Sequence, residues 1–294
     1  MSPYHMFKDV NRFPVPDDKV PWSVPFPAYN PRSFTWKRIL DGPSYSDIDL
    51  EPLSEQERKD KNIPFNREDQ VCHVNRTSLE DTPYELDRGI PLNPIGRTGL
   101  KGRGRLGRWG PNRTWDPVIT RWKKNSKYGS RGRPGDDRKE LEFLAVLRDD
   151  TKKWSFPGGM LTLDIKELDT LKVNFKVEGQ KDLDQNAANQ VVKERLASKK
   201  PHEIYKGYAD VPMNTDNAWI ETTVVNIHDE DGKLFDGVSI LAGPKARFVT
   251  WQTLSTDLPL WGPHAYFLRL VEKHVKDNYS VTTDTTPTSE LRPT

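Results

Sequence analysis

The chain has 294 residues and a formal net charge of only +2, so no global electrostatic field toward nucleic acid or an anionic membrane is expected. Nine Trp, nine Tyr and eleven Phe exclude a disordered chain, and the single cysteine, Cys72, excludes an internal disulfide framework. The sequence has no apolar run of about 18 residues, which excludes a membrane-spanning helix within it.

The first residues, MSPYHMFKDVNRFPVPDD, have neither the apolar stretch of a secretory signal nor the basic, acid-free composition of a transit peptide. A single cysteine fits a reducing compartment. We therefore expect an intracellular protein, located in the cytosol rather than in the mitochondrion.

Residues 1–115 are predicted to form a smaller, irregular N-terminal region. Proline and turn-forming residues are dense in stretches such as FPVPDDKVPW and VPFPAYNPRSF, and little helical periodicity appears. We expect extended segments and short strands that pack on another part of the chain through their aromatic side chains. The stretch EQERKDKN at 55–62 is predicted to be a solvated charge run.

Glycine and basic residues alternate in GRTGLKGRGRLGRWGPN at 96–112. One interpretation is a loop whose bare backbone and arginines approach phosphates or RNA. The other is a tight structural loop in which glycine supplies positive φ and arginine caps backbone carbonyls. The structural interpretation is favoured, because basic density without an aromatic stacking pattern is weak evidence for nucleic acid.

Residues 116–277 carry the patterns of a folded core. Strands are predicted in PVITRWKK, LEFLAVLRDD, WSFPGG, KPHEIYKGYAD, WIETTVVNIHDEDG and ARFVTWQTL, with a flexible loop at 126–139 and a hairpin turn at HDEDGK. One helix is expected after the Gly158–Gly159 turn, and another over PHAYFLRLVEKHVKDN, where Pro263 precedes the start. This order indicates an α/β fold, an α/β/α sandwich around a mixed sheet, followed by a disordered tail at 278–294.

The first of these helices is predicted from apolar spacing. Ile165, Leu168, Leu171 and Phe175 stand at i, i+3, i+6 and i+10, which is one stripe of a helix over three turns. Asp164 is a suitable N-cap residue. The segment is thus expected to be an amphipathic helix that covers the sheet.

Several stretches then occur in a fixed order along the chain: VPDDKVPWSVPFPAYNPRSFT, LNPIGRTGLKGRGRLGRWGPN, DPVITRWKK, PGGM, YKGYAD followed by NTDNAWIET, and LPLWGPHAYFLRL. Together they resemble the mitochondrial-type ADP-ribose pyrophosphatases of the Nudix superfamily. Equally, they resemble the related Nudix-homology domain of the ADP-ribose-gated melastatin-type TRP cation channels. The resemblance runs from about residue 13 to residue 275 and implies a Nudix core, a smaller N-terminal region, and a cleft for ADP-ribose between them.

The resemblance also implies a catalytic box, G-x5-E-x7-R-E-U-x-E-E-x-G-U, with U an apolar residue. Its glutamates converge on Mg²⁺, which neutralises the diphosphate and activates water. With Gly159 as the first glycine, Phe175 and Glu178 match. The remaining catalytic positions are degenerate, being occupied by Ile165, Val173, Asn174 and Val177. Glu178 is left as the metal ligand of the box, so Mg²⁺ binding is expected to be weak or absent.

The ligand-binding positions that the resemblance implies are Trp154, Gly158, Gly159, Asp210, Asp216, Leu260 and His264. An aromatic ring can stack on adenine, a glycine backbone can approach a diphosphate, and Asp or His can bond ribose hydroxyls. The family's loop typically reads D-D-P-R-N-T-D-N-A-W. Here Val211 and Met213 replace its second acid and its arginine, which weakens the expected phosphate contact.

The retained scaffold favours a Nudix-fold ADP-ribose-recognition domain that is catalytically impaired or inactive, either a sensor or the ligand module of a parent channel or other protein partner. One alternative is a divergent Mg-dependent ADP-ribose pyrophosphatase that yields AMP and ribose 5-phosphate, with Glu178 and Glu221 as its catalytic carboxylates. A further alternative is a pseudoenzyme scaffold for protein–protein contacts. No nucleic-acid partner is expected.

Overall fold

The structure, a computed structural model, describes residues 3–4, 7–123, 140–162, 165–179, 183–254 and 257–279. The predicted loop at 126–139, the predicted N-cap Asp164 and the part of the predicted tail at 280–294 lie outside these ranges. Within the described ranges, no helix combines the length and the apolar character that crossing a membrane requires.

The N-terminal region is irregular, as predicted, and holds short paired strands. Its strands are β1 (Pro3–Tyr4), β2 (Phe7–Asn11), β3 (Ser33–Thr35), β4 (Glu68–Asp69), β5 (Val74–Asn75), β6 (Leu86–Asp87), β7 (Ile90–Pro91) and β8 (Lys101–Gly104). Its helices are a 3₁₀ turn at Asp17–Lys19, α1 (Lys37–Leu40) and α2 (Glu55–Lys61). Helix α2 is the predicted charge run. It buries no residue, and the capping box of Ser54 and Glu57 shows why the run is helical.

The core is a seven-stranded mixed sheet. Its strands are β9 (Gly110–Trp122), β10 (Leu141–Arg148), β11 (Trp154–Ser155), β12 (Gly159–Met160), β14 (His202–Ala209), β15 (Ala218–Asp229) and β17 (Ala246–Thr253). Strands β9 and β15 are parallel over the whole of β15, while every other pair in the sheet is antiparallel. The predicted strands of the core are therefore confirmed.

Helices cover both faces of this sheet. Helix α4 (His264–Tyr279) packs on the face that contains Val118 and Phe143, and helix α3 (Gln185–Ser198) packs on the face that contains Ile119 and Leu144. Neighbouring residues of one strand thus point to opposite layers, because side chains alternate along a strand. The predicted α/β/α sandwich is confirmed, and so is the start of α4 directly after Pro263.

The helix predicted from Ile165 to Phe175 is wrong. Residues Glu167–Thr170 form a 3₁₀ turn, and β13 (Val173–Val177) is a strand that pairs with β16 (Val238–Ala242). The helix of this layer is instead α3, which begins 20 residues later than Ile165. Val173, Phe175 and Val177 are all buried, and the first two pack in one cluster with α3 and the sheet. This two-residue period is that of a strand.

Two smaller expectations are also corrected. The stretch HDEDGK does not close a hairpin, because β15 pairs with β9 and β14, whereas β16 pairs with β13. The oxygens of Asp229 accept the backbone N–H of Leu234 and fix this connection as a loop. Asn278 and Tyr279, which were predicted to belong to the disordered tail, belong to α4.

The glycine- and arginine-rich stretch at 96–112 is a structural loop. Gly99 has φ +83°, and a Cβ on it would lie 2.2 Å from the carbonyl oxygen of Phe13. Arg97 donates to the carbonyls of Lys19 and Pro21 at 2.8 and 2.7 Å. Arg103 is fully buried and donates to the carbonyls of Asp47 and Gly107. Glycine conformation and carbonyl capping therefore explain this part of the sequence.

Candidate functional site

A cleft of about 540 Å³ separates the N-terminal region from the core sheet. One wall comes from the N-terminal region and includes Arg12, Val20 and the start of the glycine-rich loop at 95–98. The other wall comes from the core and is formed by Lys153, the segment from Tyr208 to Asn214, and the turn at 260–262. The predicted residues Asp210 and Leu260 line this cleft together, and the volume is in the usual range for a small-molecule site.

Arg12 fastens the two walls at one end of the cleft. Its guanidinium donates to the carbonyl of Thr98 at 2.9 Å on one side, and to Pro212 and Asn214 at 2.8 and 2.7 Å on the other. A cation is therefore held at the loop in which Met213 stands in the position of the family's arginine. Sequence reasoning missed Arg12, because it lies in a stretch without periodicity or motif.

The loop between β14 and β15 is held by its own polar side chains. Asp216 is buried and accepts hydrogen bonds from Tyr29 Oη at 2.6 Å and from the backbone and hydroxyl of Thr98 at 2.7 and 2.8 Å. Burial raises the pKa of Asp216. Because these oxygens are used internally, Asp216 shapes the loop, whereas the exposed Asp210 faces the cleft.

Trp154 and Leu260 are neighbours at the edge of the sheet. They form an isolated parallel bridge, in which Trp154 N donates to Pro259 O at 2.9 Å and Trp261 N donates to Trp154 O at 2.8 Å. Trp154 is half-buried, and its ring centroid is 6.3 Å from that of Phe248. Trp261, which was not among the predicted site residues although it lies in the quoted LPLWGPHAYFLRL motif, lines the cleft beside Leu260.

The Gly158–Gly159 turn packs directly on β9. A Cβ on Gly158 would lie 2.0 Å from the carbonyl oxygen of Trp115, so no larger residue fits there. Gly159 begins β12 and pairs with Trp115. The turn is therefore held close to the sheet.

His264 is the first residue of α4 and is buried. Its Nδ1 accepts the backbone N–H of Phe156 at 3.2 Å, and its ring stacks on that of Phe156 with centroids 4.3 Å apart. Burial lowers the pKa of His264 to about 4, so the imidazole is neutral at pH 7. The side chain fastens the start of α4 to the segment that leads into the glycine turn.

The degenerate box positions are explained by the strand. Val173 is buried in the core beneath α3, and Val177 is buried farther along the same strand. Asn174 is half-buried and accepts a hydrogen bond from Asn189 Nδ2 at 3.1 Å. Ile165 is 38% exposed and pairs with Thr162 outside the named strands. Apolar residues at positions 173 and 177 thus serve packing.

The two candidate catalytic carboxylates lie in different environments. Glu178 is exposed in the turn after β13, where its backbone N–H donates to Gly237 O at 2.7 Å. Glu221 on β15 is fully buried. Its oxygens accept from Ser78 Oγ at 3.0 Å, Leu79 N at 2.5 Å and Trp219 Nε1 at 2.9 Å. Glu221 therefore joins the N-terminal region to the sheet.

These carboxylates do not fit the metal that the family implies. Mg²⁺ needs several oxygen ligands in near-octahedral geometry. Among the residues that the structure describes, no three His, Cys, Asp or Glu side chains are grouped so that they could hold a metal ion. An exposed Glu178 alone is a poor ligand set for Mg²⁺.

Comparisons with known proteins agree with this architecture. Residues 15–110 match the family of NUDT9-like N-terminal domains. The chain is 41% identical to a mitochondrial ADP-ribose pyrophosphatase of Rattus norvegicus, over 92% of this chain and 75% of that protein. It is 35% identical to putative nudix hydrolase 6 of Caenorhabditis elegans, over 92% of this chain and 93% of that protein.

A third relative is a much longer protein. The chain is 43% identical to transient receptor potential cation channel subfamily M member-like 2 of Nematostella vectensis, over 89% of this chain. It spans only 17% of the length of that protein.

Proposed function

This chain belongs to the Nudix family, with an N-terminal region and core like those of the ADP-ribose pyrophosphatases, and we propose that it is an ADP-ribose-recognition domain that does not hydrolyse its ligand efficiently. Its relatives include a channel as well as a pyrophosphatase, so we propose a role as a sensor or as a ligand module coupled to a protein partner. We place it in the cytosol, where a single exposed thiol, Cys72, stays reduced.

The conformation of the box segment carries this proposal. A Nudix box needs glutamates on one face of a helix, because residues three and four apart converge on the same ion. Here the segment is the strand β13, which turns Val173 and Val177 into the core and leaves Glu178 exposed. A strand places successive side chains on opposite faces, so even restored glutamates at these positions would not converge.

The cleft supports the proposal that this chain still binds ADP-ribose. The core wall of the cleft, whose volume is about 540 Å³, presents an exposed acid, Asp210, the cation Lys153 and the indole of Trp261. Asp210 suits ribose hydroxyls, Lys153 suits one phosphate of the ligand, and Trp261 suits an adenine ring. The relative named ADP-ribose pyrophosphatase favours the same ligand for this chain.

Calorimetry with ADP-ribose, with and without Mg²⁺, followed by chromatography of the products, tests the proposal. We expect saturable binding in both conditions and no release of AMP and ribose 5-phosphate at ordinary enzyme rates. Turnover above about 1 s⁻¹ would contradict it and favour a divergent hydrolase that uses Glu178 or Glu221. Absence of heat at millimolar ADP-ribose would contradict it and favour a scaffold for protein contacts.

The 41% identity to a pyrophosphatase is the observation that keeps the hydrolase as the second candidate. Glu178→Gln distinguishes the two functions, because it removes the exposed box carboxylate without altering the core. We expect ADP-ribose affinity to be unchanged in this variant. Loss of AMP release without loss of binding would instead identify Glu178 as catalytic.

A further inference from the structure

Lys172 lies directly against the glycine turn. Its backbone N–H donates to Pro157 O at 2.7 Å, and its carbonyl accepts from Gly243 N at 3.1 Å, so the chain is fixed on both sides of this residue. A Cβ on Gly159 would lie 3.2 Å from Lys172 Cε and 3.5 Å from Nζ. The ammonium group is therefore positioned beside the turn that the family uses to approach a diphosphate.

This ammonium group has no anionic partner of its own. Within the described part of the chain, Lys172 Nζ makes neither a hydrogen bond nor an ion pair, although the side chain is half-buried. The nearby carboxylates are engaged elsewhere. Asp116 accepts from the hydroxyls of Thr114 and Thr222 at 3.1 and 2.6 Å, and Asp150 pairs with Arg148 at 2.7 Å.

Charged groups of both signs surround Lys172. Arg148 on β10 and Lys245 before β17 oppose its charge, Asp116 and Asp150 favour it, and the nearby His264 on α4 is neutral. Burial, followed by Arg148, lowers the pKa of Lys172 to about 8. A desolvated ammonium without a partner is costly, and an anion placed beside it removes that cost.

We propose that Lys172 is the cationic partner of the ligand's diphosphate at the Gly158–Gly159 turn and takes the place that the family gives to Mg²⁺. This inference rests on the proposed function, because it assigns the diphosphate subsite of the same ligand. The described residues offer no grouped carboxylates for a metal, whereas Lys172 offers up to three N–H donors to phosphate oxygens. Binding is therefore expected to be independent of divalent metal.

Arg148 links the surroundings of Lys172 to a residue of the cleft. The Arg148 guanidinium lies 4.6 Å from the ring centroid of Trp261, which lines the cleft, and Arg148 is also among the charges that act on Lys172. The proposal therefore requires a ligand in the cleft to extend past Trp261 toward the glycine turn. The diphosphate is the anionic part of ADP-ribose, so it is the part that reaches Lys172.

The test is calorimetric titration of the whole chain with ADP-ribose in EDTA and in Mg²⁺, from pH 6.5 to 9.5, for wild type, Lys172→Met, Lys172→Arg and the control Lys176→Met. Lys176 is exposed on β13 in the same segment. We expect equal wild-type affinity in EDTA and Mg²⁺, and a fall approaching tenfold per pH unit above about 8. Lys172→Met should weaken binding about 10- to 100-fold and remove this pH limb.

The remaining variants test whether the charge at position 172 itself causes the change in affinity. Lys172→Arg should keep wild-type affinity and remain pH-independent to 9.5, because guanidinium does not lose its proton there. Lys176→Met should behave as wild type. Lys172→Met removes an uncompensated charge, so it is expected to melt at or above the wild-type temperature, which excludes misfolding as the cause of weak binding.

The outcomes separate the two proposals. Wild-type binding that Lys172→Met leaves unchanged, or that EDTA abolishes, overturns the role of Lys172 and leaves ADP-ribose recognition standing. Failure of wild type to bind ADP-ribose in any buffer overturns the proposed function and this inference with it.

Discussion

The carboxylate of Glu221, on the central strand β15, accepts the backbone N–H of Leu79 from the N-terminal region at 2.5 Å. The same carboxylate accepts from Ser78 and Trp219, so a fully buried charge is held by three donors. A residue that the sequence presents as a spare catalytic carboxylate thus connects the two parts of the molecule.

Glu221→Gln is therefore expected to lower the free energy of unfolding by about 1–3 kcal/mol, because an amide NH₂ then faces a donor in a buried site. Urea denaturation followed by Trp fluorescence measures the change. Glu178→Gln serves as the control and should shift the free energy by less than about 0.5 kcal/mol, since Glu178 is exposed. A Glu221→Gln protein with wild-type stability but lost metal-dependent turnover would contradict the structural role.

Restoring the box residues is expected to unfold the protein instead of creating a metal site. Val173→Arg places a charge in the core beneath α3, and Val177→Glu places one at another buried position of β13, at a cost of several kcal/mol per unpaired ion. Circular dichroism and urea denaturation of Val173→Arg should show an unfolded or strongly destabilised chain. Lys176→Glu, on the exposed face of the same strand, should remain folded.

The combined variant Ile165→Glu, Val173→Arg, Asn174→Glu and Val177→Glu provides the opposing outcome. If the segment were a helix with its polar face outward, this protein would fold and bind Mg²⁺ more tightly than wild type. A folded variant with increased Mg²⁺ affinity in calorimetry would therefore show that β13 is not a strand in solution.

A buried ionic network centred on Asp47 supports the glycine- and arginine-rich loop. The Asp47 carboxylate accepts hydrogen bonds from both terminal nitrogens of Arg76, at 2.9 and 2.8 Å. It also accepts hydrogen bonds from Arg108 Nη1 and Trp109 N, each at 3.0 Å. Asp47→Asn should cost about 3–5 kcal/mol of unfolding free energy, because Arg76 is buried and loses one of its two carboxylates. In this variant Arg76 keeps its ion pair with Asp69.

The matched control for Asp47 is Asp41→Asn. Asp41 forms an exposed i,i+4 pair with Lys37 at 2.6 Å. Such pairs contribute about 0.3–0.5 kcal/mol, so this variant should denature at nearly the wild-type urea concentration. Equal midpoints for the Asp47 and Asp41 variants would show that the buried network adds nothing to stability.

Stability is expected to fall between pH 6.5 and pH 4 through two buried histidines. Burial lowers the pKa of both His264 and His228 from 6.5 to about 4, so in this window the unfolded chain binds protons that the native chain does not. Stability therefore decreases as pH decreases, by about 2 kcal/mol per histidine between pH 7.5 and pH 5.

His264→Gln isolates one of these contributions. Glutamine can still accept the Phe156 N–H but does not titrate, so the loss of stability between pH 7.5 and pH 5 should shrink by about 2 kcal/mol. Urea denaturation at both pH values measures it. The same pH dependence in His264→Gln and wild type would show that His264 is not kept neutral in the native state.

The core strands, helix α4 and the structural character of the glycine-rich loop could be predicted from the sequence, because each depends on local patterns. Alternating apolar residues specify a strand, Pro263 marks the start of α4, and glycines between arginines mark positive φ with carbonyl capping. The order of the stretches from VPDDKVPW to LPLWGPHAYFLRL also indicates the family, and the relatives confirm it.

The box segment was mispredicted because its local pattern permits two structures. Leu168, Leu171 and Phe175 do pack in one core cluster, as the helical stripe required, yet Val173 joins the same cluster and Val177 is buried as well. The second pattern prevails because β16, more than 60 residues away, supplies a strand partner for β13. Helix α3 then occupies the layer that the box helix was expected to fill.

The sequence by itself determined the fold class, the family and the loss of box glutamates, since these follow from which residues occur and in what order. The tertiary structure decided what the remaining polar groups do. Glu221 and Asp216 accept hydrogen bonds from groups of the N-terminal region. Lys172, by contrast, lies beside the glycine turn without an anionic partner. A charged side chain is available to a ligand only when no group of the protein already pairs with it. Contacts between residues far apart in the sequence decide whether such a partner is present.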